Sequence, residues 1–369
     1  MIPQIEIILI ASVVAVACAL PGVFLVLRKM SLMSDAISHS ILLGIVLAFF
    51  IVESLASPLL LVGATLIGIF TVFLTEALIN TKRLKEDASI GLVFPLLFSI
   101  AVILISKFAG NVHLDLDAVL LGELAFAPFD RLVLFGVDVG AQSLWLMGFI
   151  LFLNIAFIML FFKELKIATF DPELSASLGF NPRKLHYGLM ALVSITAVGA
   201  FDAVGSVLVV ALMIAIPATA YLLTHNLKVM LFLSAFIGIL SAVSGYGMAY
   251  VLDASIAGSM ATMSGVLFLL VFLFAPRRGF IAKMLLHSKR KIVFASHLLT
   301  VHLLSHEGTS VELRENTVGN MHKHMRWEKK FAKDVVSYAI REEFLERKKN
   351  RLFLTDLGRV TAKKVMVQG

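Results

Sequence analysis

The chain has 369 residues, of which 59% are hydrophobic and only 15% are charged, and its mean hydropathy is +0.94. This composition excludes an ordinary water-soluble domain and is typical of a polytopic membrane protein. Residues 1–282 carry a net charge of −2 and residues 283–369 one of +9. We therefore predict a transmembrane domain over 1–282 and a basic cytoplasmic domain over 283–369.

Nine apolar segments are long enough to cross a bilayer as helices. The first lacks the basic N-terminal region of a signal peptide, and the chain's single cysteine, Cys18, excludes a disulfide framework and a cysteine-rich zinc site. The semi-polar stretch 108–141 is expected to contain a re-entrant or interfacial helix. The boundary between the sixth and seventh segments, near Gly199–Gly205, is open to a merger or a split. The segments lie at about 5–27, 35–54, 58–80, 88–107, 142–162, 185–201, 206–224, 229–252 and 255–275.

Basic residues concentrate in alternate connections between these segments. The positive-inside rule then places the N-terminus outside and the C-terminal domain in the cytoplasm, an orientation that nine spans satisfy. We expect the bacterial cytoplasmic (inner) membrane as the location. The basic residues of these connections are Arg28, Lys29, Lys82, Arg83, Lys85, Lys163, Lys166, Arg183, Lys184, Lys228, Arg277 and Arg278.

Asp35 and His39 lie four residues apart inside an apolar segment, so a helix places both side chains on one face. A carboxylate near the middle of a bilayer costs about 2.5–3.5 kcal/mol, which favours a functional role. A carboxylate beside an imidazole suits a divalent transition metal. Local chemistry leaves two interpretations open: half of a metal site, or an ion pair near a helix end.

The chain contains no phosphate-binding loop, because no Gly-Lys pair occurs in it. Its polar residues within the membrane segments are also scattered singly, without a Ser/His/Asp set or paired carboxylates. We therefore expect a chain that is not an enzyme and has no ATPase of its own.

Residues 170–184 form a polar connection with strong helix signals. Asp171 and Pro172 suit the N-cap and first helical position, Glu173 suits the first turn, and Gly179 suits the residue after the helix. The pattern predicts a short amphipathic helix across the cytoplasmic mouth. On these residues alone, an ordinary interfacial connector is the favoured interpretation.

The basic C-terminal domain has its own pattern of elements. Residues 294–304 predict one helix and 327–346 a longer one, while 351–365 resemble the wing and last helix of a winged-helix domain. Its positive charge suits DNA phosphates or anionic lipid. DNA binding is the less favoured interpretation, because acidic residues interleave with the basic ones. A cytoplasmic metal sensor is a further hypothesis, based on His297, His302, His306, His322 and His324.

Four segments, in order over residues 5–282, resemble the metal-cation branch of ABC importer permeases, which serves zinc, manganese and iron uptake. Residues 28–39 are similar to its signature of a basic residue, Met, Ser or Ala, Leu, two variable residues, Asp, Ala, a variable residue, Ser and His. Residues 204–220 are similar to a family segment that begins with Gly and ends in Pro, Ala, a variable residue and Ala. Residues 170–184 are similar to its coupling segment, and 275–279 to the end of its last span. The resemblance implies an all-α polytopic fold of about nine transmembrane helices, extended here by a small winged-helix-like domain.

The resemblance also implies functions for particular residues. Asp35 and His39 would line the path of the transported metal, which is a substrate, so no resident cofactor is expected. The implied partners are a cytoplasmic ABC ATPase, a second permease subunit in a homodimer or heterodimer, and an extracytoplasmic metal-binding lipoprotein. The residues implied to couple the chain to the ATPase are Phe170, Asp171, Pro172, Glu173, Leu174, Ala176 and Gly179.

Two alternatives from other classes remain at this stage. A secondary transporter or channel for cations would work without an ATPase and would not need a coupling segment. A membrane-tethered transcription regulator would depend on DNA binding by the tail. The sequence does not choose among manganese, zinc and iron, because a histidine and a carboxylate accept all three.

Overall fold

The computed structural model of the chain describes residues 3–53, 57, 59–108, 124–134, 137–276, 278–309, 312, 316–319 and 321–368. The chain divides into two compact units, Met1–Pro276 and Arg277–Gly369. This division lies a few residues before the boundary that the charge distribution predicts. Over the described residues the fold is predominantly helical, as the sequence predicts.

In the first unit, nine helices are long and apolar enough to cross a membrane, counted over the part of the chain that the structure describes. Two shorter helices join the fifth of these to the sixth. The helices are α1 (Pro3–Leu27), α2 (Ser31–Val52), α3 (Leu59–Asn80), α4 (Glu86–Phe108), α5 (Gln142–Leu160), α6 (Phe162–Phe170), α7 (Pro172–Ser177), α8 (Pro182–Val204), α9 (Ser206–Leu223), α10 (Leu227–Leu252) and α11 (Ile256–Phe274).

Helix α1 forms the centre of the bundle, where it packs against α5, α8, α9 and α10. Its small residues allow this close approach: an added Cβ at Gly22 would lie 2.2 Å from the backbone oxygen of Met213. Buried hydrogen bonds add specificity, since the Asn154 side chain donates to the Ala17 carbonyl at 3.0 Å and to the Thr196 hydroxyl at 2.9 Å. The uncertain boundary is also resolved: α8 runs through Gly199 and ends before Gly205, whose φ is +77°.

Helices α2 and α3 cross at two glycines. An added Cβ at Gly44 would lie 2.3 Å from the Gly63 carbonyl oxygen, which is a backbone atom and cannot move aside. We expect Gly44→Ala to destabilise the first unit by about 1–3 kcal/mol, the usual cost of overpacking. Thermal unfolding in detergent measures the effect, with Gly148→Ala as the matched control because nothing lies within 4 Å of its Cβ position. Equal stability of the two variants would contradict this account.

A β-hairpin stands where part of the re-entrant or interfacial helix was expected. Strands β1 (Arg131–Leu134) and β2 (Val137–Ala141) pair antiparallel, so the expected helix does not include the residues of these strands. Extended backbone suits a stretch rich in valine. The Arg131 guanidinium lies 2.9 Å from the Asp138 carboxylate of β2 and 3.1 Å from the Glu6 carboxylate of α1, so it anchors the two strands to α1. Residues 109–123 of the same prediction lie outside the described residues.

Among its described residues, the second unit packs four helices with a small sheet around a separate core that includes Leu299, Val335, Leu345 and Leu352. Its elements are α12 (Phe280–His306), α13 (Met321–His324), α14 (Lys329–Arg341), β3 (Leu345–Lys348), β4 (Arg351–Leu354) and α15 (Asp356–Gln368). Strands β3 and β4 form an antiparallel hairpin. The hairpin and α15 follow the order expected of a wing and last helix, while the winged-helix assignment itself stays a prediction.

The long helix predicted over 327–346 is wrong at its C-terminal end. Helix α14 ends at Arg341, and Glu343 has a left-handed φ of +58° that reverses the chain. Burial explains why the chain then continues as a strand: Leu345 is 2% exposed and pairs with Leu354 across the hairpin. Sequence pattern alone does not show this pairing.

Candidate metal path and coupling segment

Asp35 and His39 lie on the first half of α2, on the face that packs towards α4. The Asp35 Oδ1 and His39 Nε2 atoms are 3.4 Å apart, and both side chains are about one-third exposed, at 38% and 32%. The His39 ring stacks on Phe94, with ring centroids 5.8 Å apart, and meets the edge of Phe98 at 6.0 Å. Two aromatic rings of α4 therefore hold the imidazole in place beside the carboxylate.

The hydroxyls of three serines near this pair, Ser34, Ser38 and Ser40, form hydrogen bonds with helix residues other than Asp35 and His39. The Ser34 hydroxyl donates to the Met213 sulfur at 3.1 Å, and Ser38 donates to the backbone of its own helix. Ser40 accepts a hydrogen bond from Thr71 of α3 at 2.7 Å. The bonds of Ser34 and Ser40 pack α2 against its neighbours, which is the role that small polar residues often have between membrane helices.

The depth of the pair follows from its position on α2. The helix begins at Ser31, so Asp35 lies about 6 Å and His39 about 12 Å along its axis from that end. This end of the bundle carries the connections 28–30, 81–85 and 171–181, and we call it the basic end. The pair therefore lies inside the span, nearer to the basic end than to the other.

Carboxylate oxygen and imidazole nitrogen together suit zinc, manganese or iron. A closed structural site takes four ligands, whereas this pair supplies two. Within the described residues, no group of three or more His, Cys, Asp or Glu side chains has an arrangement that holds a metal ion. The pair is therefore at most half of a complete site, and the proposed histidine sensor in the tail gains no support from the described residues.

The connection between α6 and α8 contains the short helix α7, with the caps that its sequence predicts. The Asp171 carboxylate accepts a hydrogen bond from the Leu174 amide at 2.9 Å, and Pro172 opens the helix. Gly179 has a φ of +87°, and the Phe180 amide bonds to the Ser175 carbonyl at 3.1 Å. This closing pattern is a Schellman motif, which satisfies the last carbonyls of the helix.

The segment Phe170–Gly179 presents an apolar surface to solvent at the basic end. Phe170, Leu174 and Leu178 are 61%, 47% and 55% exposed. Leu174 and Leu178 lie one helical turn apart on α7 and its C-cap, while Phe170 is the last residue of α6. We call these three exposed residues the apolar stripe. The remaining coupling candidates, Asp171, Pro172, Glu173, Ala176 and Gly179, are also exposed. An exposed apolar stripe on a well-capped helix is a typical protein-docking surface.

Sequence reasoning missed a polar network at the same end. His186 of α8 lies 2.6 Å from the Glu76 carboxylate of α3, and its other ring nitrogen lies 3.1 Å from the Arg28 guanidinium. Charged and ionisable residues inside apolar segments are a functional signal, and this signal could have drawn attention to Glu76 and His186. In the sequence, Arg28 indicated only the orientation of the chain and the start of the signature segment 28–39.

Three features of the described residues define a polytopic membrane transport protein: nine apolar helices of spanning length, a partly exposed carboxylate–imidazole pair within a span, and a capped surface helix with an apolar stripe. Residues 4–275 match the model of the ABC 3 transport family. The chain belongs to this family, and it is a permease subunit of an ABC transport system.

Two relatives show how far the similarity extends. The zinc transport system membrane protein TroD of Treponema pallidum is 50% identical over 353 residues, which cover 96% of each chain. The manganese transport system membrane protein MntD of Bacillus subtilis is 48% identical over 272 residues, covering 74% of this chain and 92% of that protein. Because 353 residues exceed the length of the first unit, the similarity to TroD extends into the second.

Solved structures support the same architecture. The chain is similar to a chain of PsaBC from Streptococcus pneumoniae, solved in complex with Fab, with a TM-score of 0.63 and 28% identity over 75% of this chain and 94% of that one. A putative metal-chelate type ABC transporter in an inward-facing conformation gives a TM-score of 0.52 at 19% identity, covering 72% of this chain and 84% of its own. The second likeness concerns the fold alone.

Proposed function

We propose that this chain carries a divalent transition metal ion, manganese, zinc or iron, through the membrane as the permease subunit of an ABC importer. The observation that supports this most is the Asp35–His39 pair, a carboxylate and an imidazole 3.4 Å apart on one face of a membrane helix. Ionisable groups at such a position are costly and mark ion pathways. The zinc and manganese named in TroD and MntD agree with this donor set.

An incomplete site suits transport, because the ion must bind well enough to lose water and still leave. Two ligands from one chain leave room for two from a second permease subunit that faces it. The partly exposed faces of Asp35 and His39 are compatible with such a neighbour. We propose that a homodimer or heterodimer completes the site with the equivalent pair.

A separate cytoplasmic ATPase supplies the energy in this proposal. It docks on the segment Phe170–Gly179, where Phe170, Leu174 and Leu178 offer an apolar stripe that the isolated chain leaves exposed. The basic end is then cytoplasmic by the positive-inside rule, the N-terminus is outside, and the second unit follows in the cytoplasm. An extracytoplasmic metal-binding lipoprotein delivers the ion to the opposite end.

The test is uptake of radioactive manganese and zinc into proteoliposomes that contain this chain with its partner permease and ATPase. We expect metal to accumulate only with ATP on the side of the ATPase, and the ion transported faster names the preferred substrate. Liposomes without the ATPase are the control. Equal uptake without ATP or without the ATPase would favour the alternative, an ATP-independent secondary transporter or channel, and would overturn the proposal.

A further inference from the structure

Arg28 connects the two flanks of the coupling segment to the helix that carries the candidate metal ligands. It lies in the turn between α1 and α2, and its Nε donates to the Thr169 hydroxyl at 3.2 Å. Its Nη1 lies 3.1 Å from Nδ1 of His186. Thr169 is the second-to-last residue of α6, before the segment, and His186 lies in the first turns of α8, after it. One side chain therefore contacts both sides of Phe170–Gly179.

The chemistry of arginine fixes the direction of these bonds. Arginine only donates, so Nδ1 of His186 accepts and the imidazole proton lies on Nε2. That Nε2 lies 2.6 Å from the Glu76 carboxylate of α3, which is within ion-pair distance. Burial lowers the pKa of Arg28 to about 10, which leaves the guanidinium charged at neutral pH. A chain of polar contacts, one hydrogen bond and one ion-pair contact, thus runs from Arg28 through His186 to Glu76.

The turn that holds Arg28 is short and held by backbone hydrogen bonds. The amide of Arg28 bonds to Phe24 at 3.0 Å, and the amide of Met30 bonds to Leu25 at 2.9 Å. Lys29 adopts a left-handed φ of +63°, and α2 begins two residues later. From the start of α2 to Asp35 is only about 6 Å of helix. When Thr169 or His186 displaces the Arg28 side chain, the displacement therefore reaches Asp35 and His39 through a short connection that hydrogen bonds hold in place.

We propose that Arg28 is a positioning residue that transmits movement of the coupling segment to the entry of α2, and so to Asp35 and His39. The inference rests on the proposed function, because it requires an ATPase that moves Phe170–Gly179. Thr169 and His186 move with that segment, since each lies within a few residues of it on an adjoining helix. Their bonds to Arg28 then shift the start of α2 and change the access of the metal pair.

The experiment measures ATP hydrolysis and metal uptake in the same proteoliposomes, containing the complete transporter, and reports ions carried per ATP. We expect Arg28→Gln to keep hydrolysis within about twofold while ions per ATP fall about fivefold or more, the usual size of a coupling between two sites. Arg28→Lys, which keeps the charge but not the forked geometry, should restore the ratio only in part. Lys29→Gln is the matched control, because Lys29 is adjacent and exposed, and should leave the ratio unchanged.

An unchanged number of ions per ATP in Arg28→Gln overturns the inference, whether uptake and hydrolysis both stay normal or fall together. If Arg28→Gln does not assemble, Thr169→Val decides, because it removes one hydroxyl and keeps the shape of the side chain. A ratio at least about twofold below wild type in Thr169→Val supports the inference, and a wild-type ratio overturns it. Absence of ATP-dependent uptake in the wild-type complex would instead refute the proposed function.

Discussion

Asp35→Asn should abolish most metal transport while leaving the permease assembled. The substitution keeps the shape of the side chain and removes its charge, so it weakens a metal ligand without creating a cavity. Loss of a group that only supports a ligand already costs about 10–100-fold in affinity or activity, and we expect uptake to fall at least this far. Radioactive manganese and zinc uptake, in cells or proteoliposomes with the partner subunits, gives the measurement.

The matched control is Glu53→Gln, which makes the same chemical change at the other end of α2. Glu53 is exposed and lies just after the helix ends, away from the Asp35–His39 pair. We expect uptake by this variant to equal that of wild type. Copurification of the ATPase establishes assembly of each variant. Normal transport by an assembled Asp35→Asn variant would show that Asp35 has a structural role only.

Leu174→Asp should release the ATPase from the permease. Leu174 is 47% exposed in the middle of the stripe Phe170–Leu178, so a partner that covers the stripe would have to bury the new carboxylate without a counter-charge. A hot-spot residue near the centre of an interface contributes about 2 kcal/mol or more, so if Leu174 is one, docking is weakened by about 30-fold. Copurification of the ATPase and ATP-dependent uptake should both be lost.

Val360→Asp is the control for introducing an acid at an exposed apolar position. Val360 is 64% exposed on α15 in the second unit, so the substitution tests for general effects on expression and folding. We expect it to retain the ATPase. Should Leu174→Asp copurify with the ATPase as well as wild type does, the apolar stripe is not the docking surface.

Local sequence signals predicted the elements whose geometry depends on near neighbours. The spacing of Asp35 and His39 predicted one shared helix face, and Asp171, Pro172 and Gly179 predicted both ends of α7. These features depend on backbone geometry within a few residues, which residue type largely determines. The same reasoning identified nine apolar segments of spanning length, and their number agrees with the described helices.

Contacts between distant segments were not predictable in this way. Arg28 meets Thr169 and His186 across 141 and 158 residues of sequence, and no local pattern encodes such a meeting. The two rings of α4 that hold His39 are likewise ordinary apolar residues in the sequence. The pairing of β1 with β2 and the early end of α14 were not predicted for the same reason, because ion pairs and strand pairing between segments outweigh local helix preference.

The measurement that tests the central claim most directly is zinc K-edge X-ray absorption on the assembled transporter loaded with one zinc ion per complex. The account predicts nitrogen and oxygen ligands at about 2.0–2.1 Å, including imidazole, because His39 and Asp35 contact the ion. In His39→Ala the imidazole contribution should decrease, while Glu53→Gln should leave the spectrum unchanged. An identical imidazole contribution in wild type and His39→Ala would contradict a metal path through this pair.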